Sequence, residues 1–129
     1  MNTNYRLAIA LVAGVALGVT ATQMLHAQAK PPAFVVAEID VTNKDAFLKD
    51  FVPVATKALT QGAGFKALAR GNKTVSIEGA APKSIFAINH FDSLDEALKA
   101  YNSEAYKEAR KIGDKYATFR LYAVEGFVQ

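Results

Sequence analysis

Histidine is the side chain best suited to proton transfer near neutral pH, and His90 is the one histidine within residues 30–129. Glu38 and Asp40 alternate on a predicted strand, so their carboxylates share one face and could orient a histidine or form a loose oxygen-rich site. Such residues also have common structural roles, as a histidine hydrogen-bonded at a sheet end and as carboxylates at a solvated strand rim. Both interpretations stay open for these three residues.

Arg70 precedes a predicted turn, where its guanidinium could hold a carboxylate substrate or form an exposed ion pair. The chain has no cysteine, which excludes disulfides, zinc–thiolate sites and thiol nucleophiles. We therefore name His90, Glu38, Arg70 and Tyr122 as candidate pocket residues, and we assign none of them a catalytic role. No metal site and no cofactor are expected.

The first 29 residues have the features of a secretory signal. Arg6 is their only charged side chain, residues 7–19 form an apolar run, and Ala27 and Ala29 occupy the small-residue positions of a cleavage site. A run of thirteen residues is shorter than the ~20 that span a bilayer, so cleavage after Ala29 is favoured over a retained anchor, which stays open. The expected product is periplasmic or secreted, without stable membrane association.

Residues 30–129 are long enough for one domain. The whole chain carries 15 Lys and Arg against 12 Asp and Glu, a net charge of +3, and both signs are interspersed. A nucleic-acid-binding surface would need a basic stripe interleaved with aromatic residues, and the sequence has none. The charge pattern therefore argues against a nucleic-acid partner.

The hydrophobic pattern predicts alternating strands and helices. Strands are expected at 34–41, 65–70, 74–78, 84–91 and 117–124, of which 74–78 is the return arm of a hairpin. Helices are expected at 44–60, with a kink or break near Phe51 caused by Pro53, and over 94–113, with Ser93 and Ser103 as caps. Tyr101 and Tyr106 fall at helical spacing, which is typical of a core-and-rim stripe. The order predicts a ferredoxin-like β-α-β-β-α-β domain, a four-stranded antiparallel sheet with two helices on one face.

Neither face of the predicted sheet is polar enough to meet water alone. The helices cover one face, yet the other alternation set still carries large apolar side chains, which are Phe34, Val36, Phe86, Ile88, Tyr122 and Val124. Together they would expose an apolar patch of several hundred Å2, more than soluble monomers usually show. We therefore expect a homodimer in which two sheets pack face to face around a barrel-like space that receives Glu38, Asp40, His90, Arg120 and Tyr122.

Several segments resemble the family known as domain of unknown function 1330, within the dimeric α+β-barrel superfamily. They are FVVAEIDV, FVPVATKAL, FKALARGN followed by SIEG, FDSLDEALKAYNSEAYKEAR, and the closing LYAVEG. The resemblance implies a dimer built through the sheet faces and a pocket between sheet and helices, but no settled reaction. The chain departs from the common pattern at Asn72, where a second glycine is usual, and at His90, where a glutamate is frequent.

These observations favour an exported, homodimeric domain that binds or senses a small molecule. The alternative is a cofactor-independent isomerase, lyase or monooxygenase acting on a small aromatic or dicarbonyl compound. In that case His90 would move the proton, Glu38 would orient it, and Arg70 would hold an anion. The absence of tryptophan argues against the Asn-Trp-His arrangement of haem-degrading and quinone-forming relatives in the superfamily.

Overall fold

The computed structural model describes residues 29–128, in which four strands form one antiparallel sheet. The strands are β1 (Ala33–Val41), β2 (Lys66–Gly71), β3 (Ile85–Phe91) and β4 (Ala117–Glu125). They lie in the order β2-β3-β1-β4, so the first strand is central and the last is at an edge. The helices follow β1 and β3, which confirms the predicted ferredoxin-like α+β fold.

Within residues 29–128, five helical segments lie on one side of the sheet, and three of them begin at a polar cap. They are α1 (Lys44–Ala46), a π-helical turn (Phe47–Phe51), α2 (Val52–Leu59), α3 (Leu94–Tyr101) and α4 (Glu104–Gly113). Asn43, Ser93 and Ser103 each accept a hydrogen bond from the backbone N–H three residues later, at 3.1–3.2 Å. The Glu96 carboxylate does not turn back to Ser93 as a full capping box would, because it accepts from the Ala63 amide at 3.0 Å.

The predicted irregularity near Phe51 is the π-helical turn. Proline has no N–H to give to the preceding turn, and Pro53 lies at the start of α2, directly after the π-helical turn in which the Val52 N–H donates to the Phe47 carbonyl. The turn directs Phe47 and Phe51 into the core, with ring centroids 5.0 Å apart. Phe51 also meets Phe119 of β4 edge to face at 5.2 Å.

The predicted strand at residues 74–78 is absent, and that prediction is wrong. β2 pairs directly with β3, with Gly71 opposite Phe86, so β3 occupies the place that the return arm would have taken. Val75 and Ile77 are 84% and 101% exposed. Pairing β2 with β3 buries alternate β3 side chains beneath the helices, whereas the local alternation of 74–78 has nothing to pack against.

The helices cover one face of the sheet, called here the helical face. Alternate residues of the two central strands are buried on it, namely Ala33, Val35, Ala37 and Ile39 of β1 and Ile85, Ala87, Asn89 and Phe91 of β3. The other face, called here the open face, carries the half-buried Phe34, Val36, Phe86 and Ile88. Tyr122 and Val124 on the same face are 44% and 53% exposed.

A β-bulge in β2 decides which residues of that strand reach the helical face. Ala67 is opposite Asn89, but after a register shift Ala69 is opposite Ile88 and Arg70 is opposite Ala87. Without the extra residue, Arg70 would pair with Phe86 and point to the open face, because a shift by one residue exchanges the two faces of a strand. The bulge therefore places the Arg70 side chain beneath the helices.

Candidate functional site

A cavity of about 60 Å3 lies between the helical face and the helices. Most of its walls are apolar, and the polar exceptions are Thr56, Arg70, Asn89, Tyr101 and Tyr106. This volume is smaller than the roughly 150 Å3 cavity that accommodates benzene. A one-ring compound bound here would therefore extend beyond the enclosed space toward the exposed Arg70. We call it the sheet–helix cavity, and it lies where the family resemblance implies a pocket.

Asn89 brings an unpaired polar atom to this cavity. Its side chain is only 3% exposed, and its Nδ2 donates a hydrogen bond to the Tyr101 hydroxyl at 2.8 Å. Its Oδ1 is the one buried side-chain oxygen or nitrogen of residues 29–128 with no hydrogen-bond partner. Burying such an acceptor unpaired costs about 1–3 kcal/mol, so Asn89 is a marked exception to the usual pairing of buried polar groups.

Tyr101 links Asn89 to the helices. It lies at the C-terminal end of α3, and its ring meets Tyr106 of α4 edge to face at 4.7 Å. Burial raises the pKa of the Tyr101 hydroxyl to about 12, against smaller opposing contributions from the Asn89 hydrogen bond and the Arg70 charge. Tyr101 therefore keeps its proton at neutral pH. Since its oxygen accepts from Asn89, that proton is left to donate.

Arg70 supplies the only charge among the residues that line the cavity. Its Nη1 donates to the Thr56 hydroxyl at a long 3.4 Å, and within residues 29–128 no acidic side chain forms an ion pair with it. Its side chain is exposed, so the guanidinium lies toward the solvent side of the cavity. A cation without an anionic partner at the mouth of an apolar space is suited to binding an anion.

The other three candidate residues lie on the open face, across the sheet from Arg70. His90 Nδ1 is 2.8 Å from the Gly64 carbonyl, and its ring meets Phe34 edge to face at 5.6 Å. The geometry is that of a histidine hydrogen-bonded at a sheet end. The structure therefore separates His90 from Arg70, and one chain does not bring the proposed proton carrier and anion holder together.

Glu38 and His90 are not neighbours, so within one chain Glu38 does not orient His90 as the enzymatic alternative requires. The residue opposite His90 is Phe34, and the residue opposite Glu38 on β3 is Phe86. The Glu38 carboxylate instead accepts a hydrogen bond from Arg120 Nη1 at 3.0 Å. The same guanidinium lies 5.3 Å from the ring centroid of Tyr122, so Tyr122 and Glu38 share a partner.

Asp40 forms a separate pair at the end of β1. Lys83 donates to its carboxylate at 2.7 Å, and both side chains are about half exposed. This hydrogen bond lowers the pKa of Asp40 and raises the pKa of Lys83. The carboxylate is thus part of a solvated rim, which is the structural interpretation given above for Asp40.

Sequence reasoning missed Asn89 and Tyr101 as site residues. An asparagine in the middle of the apolar run SIFAINHF was the available signal, because it falls in the alternation set of Ile85 and Ala87 that faces the helices. A polar residue at a predicted core position calls for a partner. Its connection to Tyr101 across the cavity is a tertiary contact that no local pattern indicates.

The amino-acid sequence of this chain matches a family model described as "Domain of unknown function (DUF1330)" over residues 32–127. The chain belongs to this family. No curated protein matches the sequence. The DUF1330 match includes all four strands, the helices and the lining of the sheet–helix cavity, and it begins three residues after the predicted cleavage position.

Solved structures similar to this DUF1330 chain share the dimeric α+β-barrel fold. The methylated RPA0582 protein, from Rhodopseudomonas palustris, has a TM-score of 0.62 at 11% identity, with 84% of this chain and 91% of that chain covered. SnoaB from Streptomyces nogalater, described as a cofactor-independent oxygenase, has 0.56 at 13%, covering 77% and 96%. HapK from Hahella chejuensis has 0.52 at 12%, covering 75% and 94%. Identities this low show the fold alone.

Residues 29–128 contain neither a membrane-spanning helix nor a metal-ligand cluster. No helix in this part of the chain is long and apolar enough to cross a membrane. No three or more His, Cys, Asp or Glu side chains of the same residues are grouped so that they could hold a metal ion. Within the described part of the chain, the sheet–helix cavity is the one whose wall includes a buried polar side-chain atom without a partner.

Proposed function

We propose that this DUF1330 domain binds a small organic molecule in the sheet–helix cavity. The observation that carries the proposal is the buried, unpaired Oδ1 of Asn89 at the cavity wall. A ligand that donates to this oxygen would remove the penalty of leaving it unpaired. The mostly apolar lining with a few polar groups is typical of small-molecule sites.

Occupancy of the cavity can be tested with phenol, whose hydroxyl can donate to Asn89 while its ring extends toward the exposed Arg70. Titration of 15N-labelled protein should shift the amide signals of Ala87, Asn89 and Tyr101. Ala87→Leu fills the cavity from β3 and should abolish these shifts, while Ala105→Leu on the exposed side of α4 should leave them unchanged. Equal shifts in both variants would show that phenol binds elsewhere and would refute the proposal.

A binding role is favoured over the enzymatic alternative by the placement of the candidate residues. His90 and Glu38 lie on the open face, and Arg70 lies beneath the helices, so the sheet separates them. The three-residue mechanism expected for an isomerase, lyase or monooxygenase therefore does not assemble within one chain. A ligand in the cavity would contact Asn89, Tyr101 and Arg70 instead.

We also propose that two copies associate through their open faces. The support is the contiguous apolar surface formed by Phe34, Val36, Phe86, Ile88, Tyr122 and Val124. Ile88→Asp would bury an unpaired charge in the interface and should convert a dimer to a monomer in sedimentation velocity. Leu98→Asp adds the same charge on the exposed surface of α3 and should leave the dimer intact. A wild-type monomer at micromolar concentration would refute this association.

Export with cleavage after Ala29 is the third part of the proposal, and it rests on the sequence of residues 1–29, of which 1–28 lie outside the described residues. N-terminal sequencing of protein secreted by its own host should begin at Lys30. A mature protein that still begins at Met1 and sediments with membranes would refute export by cleavage and support a retained anchor.

A further inference from the structure

We infer that the ligand of the sheet–helix cavity is a one-ring organic acid that carries a hydroxyl group at the end opposite its carboxylate. The inference rests on the proposed function, because it assumes that the cavity binds a small molecule. It adds the chemical class of that molecule. The three features of the ligand correspond to three features of the cavity wall, namely one cation, one apolar middle region and one polar pair.

The Arg70 guanidinium indicates that the ligand carries a carboxylate. Arg70 is the only charged residue of the cavity lining, and no acidic residue lines the cavity. Its single hydrogen bond to a protein side chain is the 3.4 Å contact with Thr56, which leaves most of its five N–H donors for a ligand. A planar guanidinium matches a carboxylate with two parallel hydrogen bonds.

The hydroxyl is assigned by Asn89 and Tyr101 together. Asn89 Oδ1 needs a donor, and Tyr101 has a proton to give because its oxygen already accepts from Asn89 Nδ2. A ligand hydroxyl can donate to the first group and accept from the second. An N–H group could satisfy only Asn89, and a carbonyl only Tyr101.

The ring is assigned by the distance between these two ends and by what lies between them. Arg70 is opposite Ala87, which is two residues from Asn89 on the same face of β3. Diagonal neighbours of this kind have Cα atoms about 7–8 Å apart, and the long, exposed Arg70 side chain extends from its Cα to Thr56. Phe47, Phe51 and Phe119 line the apolar part of the cavity, and aromatic side chains pack favourably against a further ring edge to face or offset.

The test uses three probes that differ by one group, which are 4-hydroxybenzoate, benzoate and phenol. Isothermal titration calorimetry with residues 30–129 should show 4-hydroxybenzoate binding at least about tenfold more tightly than either of the others, since each lacks one polar contact. Arg70→Gln should remove the preference for 4-hydroxybenzoate over phenol. Arg120→Gln makes the same charge change on the open face and should keep that preference.

Two variants test the polar pair. Tyr101→Phe keeps the ring but loses the hydroxyl, so the preference for 4-hydroxybenzoate over benzoate should fall about tenfold or more while benzoate affinity is retained. Asn89→Leu should remove the same preference. Because Tyr101→Phe changes a single oxygen, it keeps the test decisive even where Asn89→Leu alters folding.

The outcomes separate this inference from the proposed function. Binding of phenol, benzoate and 4-hydroxybenzoate with equal affinity, unchanged by Arg70→Gln, would overturn the acid class and keep the cavity as a binding site. Absence of binding by all three probes would overturn the proposed function itself. A preference for 4-hydroxybenzoate that Arg120→Gln abolishes and Arg70→Gln preserves would place the acid on the open face and overturn the inference.

Discussion

The two faces of the sheet are built from the same strands but leave different groups without partners. On the helical face the apolar side chains are buried within the chain. The incompletely paired groups are polar, namely Asn89 Oδ1, which has no partner, and the Arg70 guanidinium, which donates to Thr56 and forms no ion pair within residues 29–128. On the open face the polar groups are paired, Glu38 with Arg120 and His90 with the Gly64 carbonyl. The apolar side chains on this face are partly exposed to solvent.

This difference indicates two different kinds of partner. Unpaired polar groups in an apolar cavity are satisfied by a small molecule of matching hydrogen-bond chemistry. Exposed apolar side chains around satisfied polar pairs are covered by another protein surface. Assigning ligand binding to one face and association to the other therefore follows from which groups each face leaves unsatisfied.

Replacing one phenylalanine on each face should sharpen this comparison most. Phe91 is 0% exposed on the helical face, and Phe86 is half-buried on the open face of the same strand. Phe91→Ala should lower the free energy of unfolding by about 3–5 kcal/mol, and Phe86→Ala by clearly less at low protein concentration. Denaturant titration at two protein concentrations measures both. Equal losses for the two variants at low concentration would contradict the assignment of the faces.

The pH dependence of stability should report the burial of Tyr101. Its pKa is about 12 in the folded chain because burial disfavours the charged form, and about 10 in the unfolded chain. Because the pKa is higher in the folded chain, the Tyr101 hydroxyl contributes its full stabilisation at pH values below the pKa of the unfolded chain. This contribution is lost as pH rises from about 10 through 12. The loss should be about 1–2 kcal/mol, discounted because the hydroxyl is only partly buried.

Tyr101→Phe is the matched control for that measurement, since phenylalanine does not ionise. Guanidinium unfolding at pH 9, 10 and 11 should show a steeper decline for the wild type than for Tyr101→Phe. Parallel declines in the two proteins would mean that lysines alone cause the loss of stability, and that the Tyr101 hydroxyl is not buried as described.

Removing the unpaired oxygen should stabilise the protein while removing its function. Asn89→Leu is made in the Tyr101→Phe background, so that no Tyr101 hydroxyl is left without its Asn89 donor. It replaces a buried, half-satisfied amide by an apolar side chain and should raise the free energy of unfolding by about 1 kcal/mol relative to Tyr101→Phe alone. For a domain of this size the midpoint of thermal unfolding should rise by about 4–8 °C. Asn102→Leu, at an exposed helix end, should give no such rise. A destabilised Asn89→Leu protein would show that the oxygen is satisfied in solution.

The smallest effect expected is on the open face, in two double-mutant cycles. Glu38→Gln and Arg120→Gln should couple by about 0.2–1 kcal/mol, as exposed ion pairs do. The effects of Glu38→Gln and His90→Ala on the free energy of unfolding should be additive to within about 0.5 kcal/mol, because the two residues are not opposite each other in the sheet. His90→Ala alone should lower stability by about 1 kcal/mol through its lost hydrogen bond to Gly64. Strong coupling of Glu38 with His90 would contradict the strand register.

Most elements of the fold could be predicted from local pattern. The alternation in FVVAEIDV and SIFAINHF predicts β1 and β3 to within one residue, and Ser93 and Ser103 begin α3 and α4 as expected. The strand expected at 74–78 shows where local pattern is insufficient. Its alternation is as regular as that of a strand, but β3 takes the place beside β2 that the segment would occupy, so it has no neighbouring strand to pair with.

The sequence by itself determines the ferredoxin-like order of elements and the two apolar alternation sets, because both depend on periodicity along the chain. It also contains the segments by which the family is recognised. The tertiary structure decides the candidate site. One extra residue in β2 turns Arg70 from the open face to the helical face, and the packing of α3 brings Tyr101 to Asn89. Both depend on register and packing between distant segments, and a one-residue shift there reverses which side chains share a cavity.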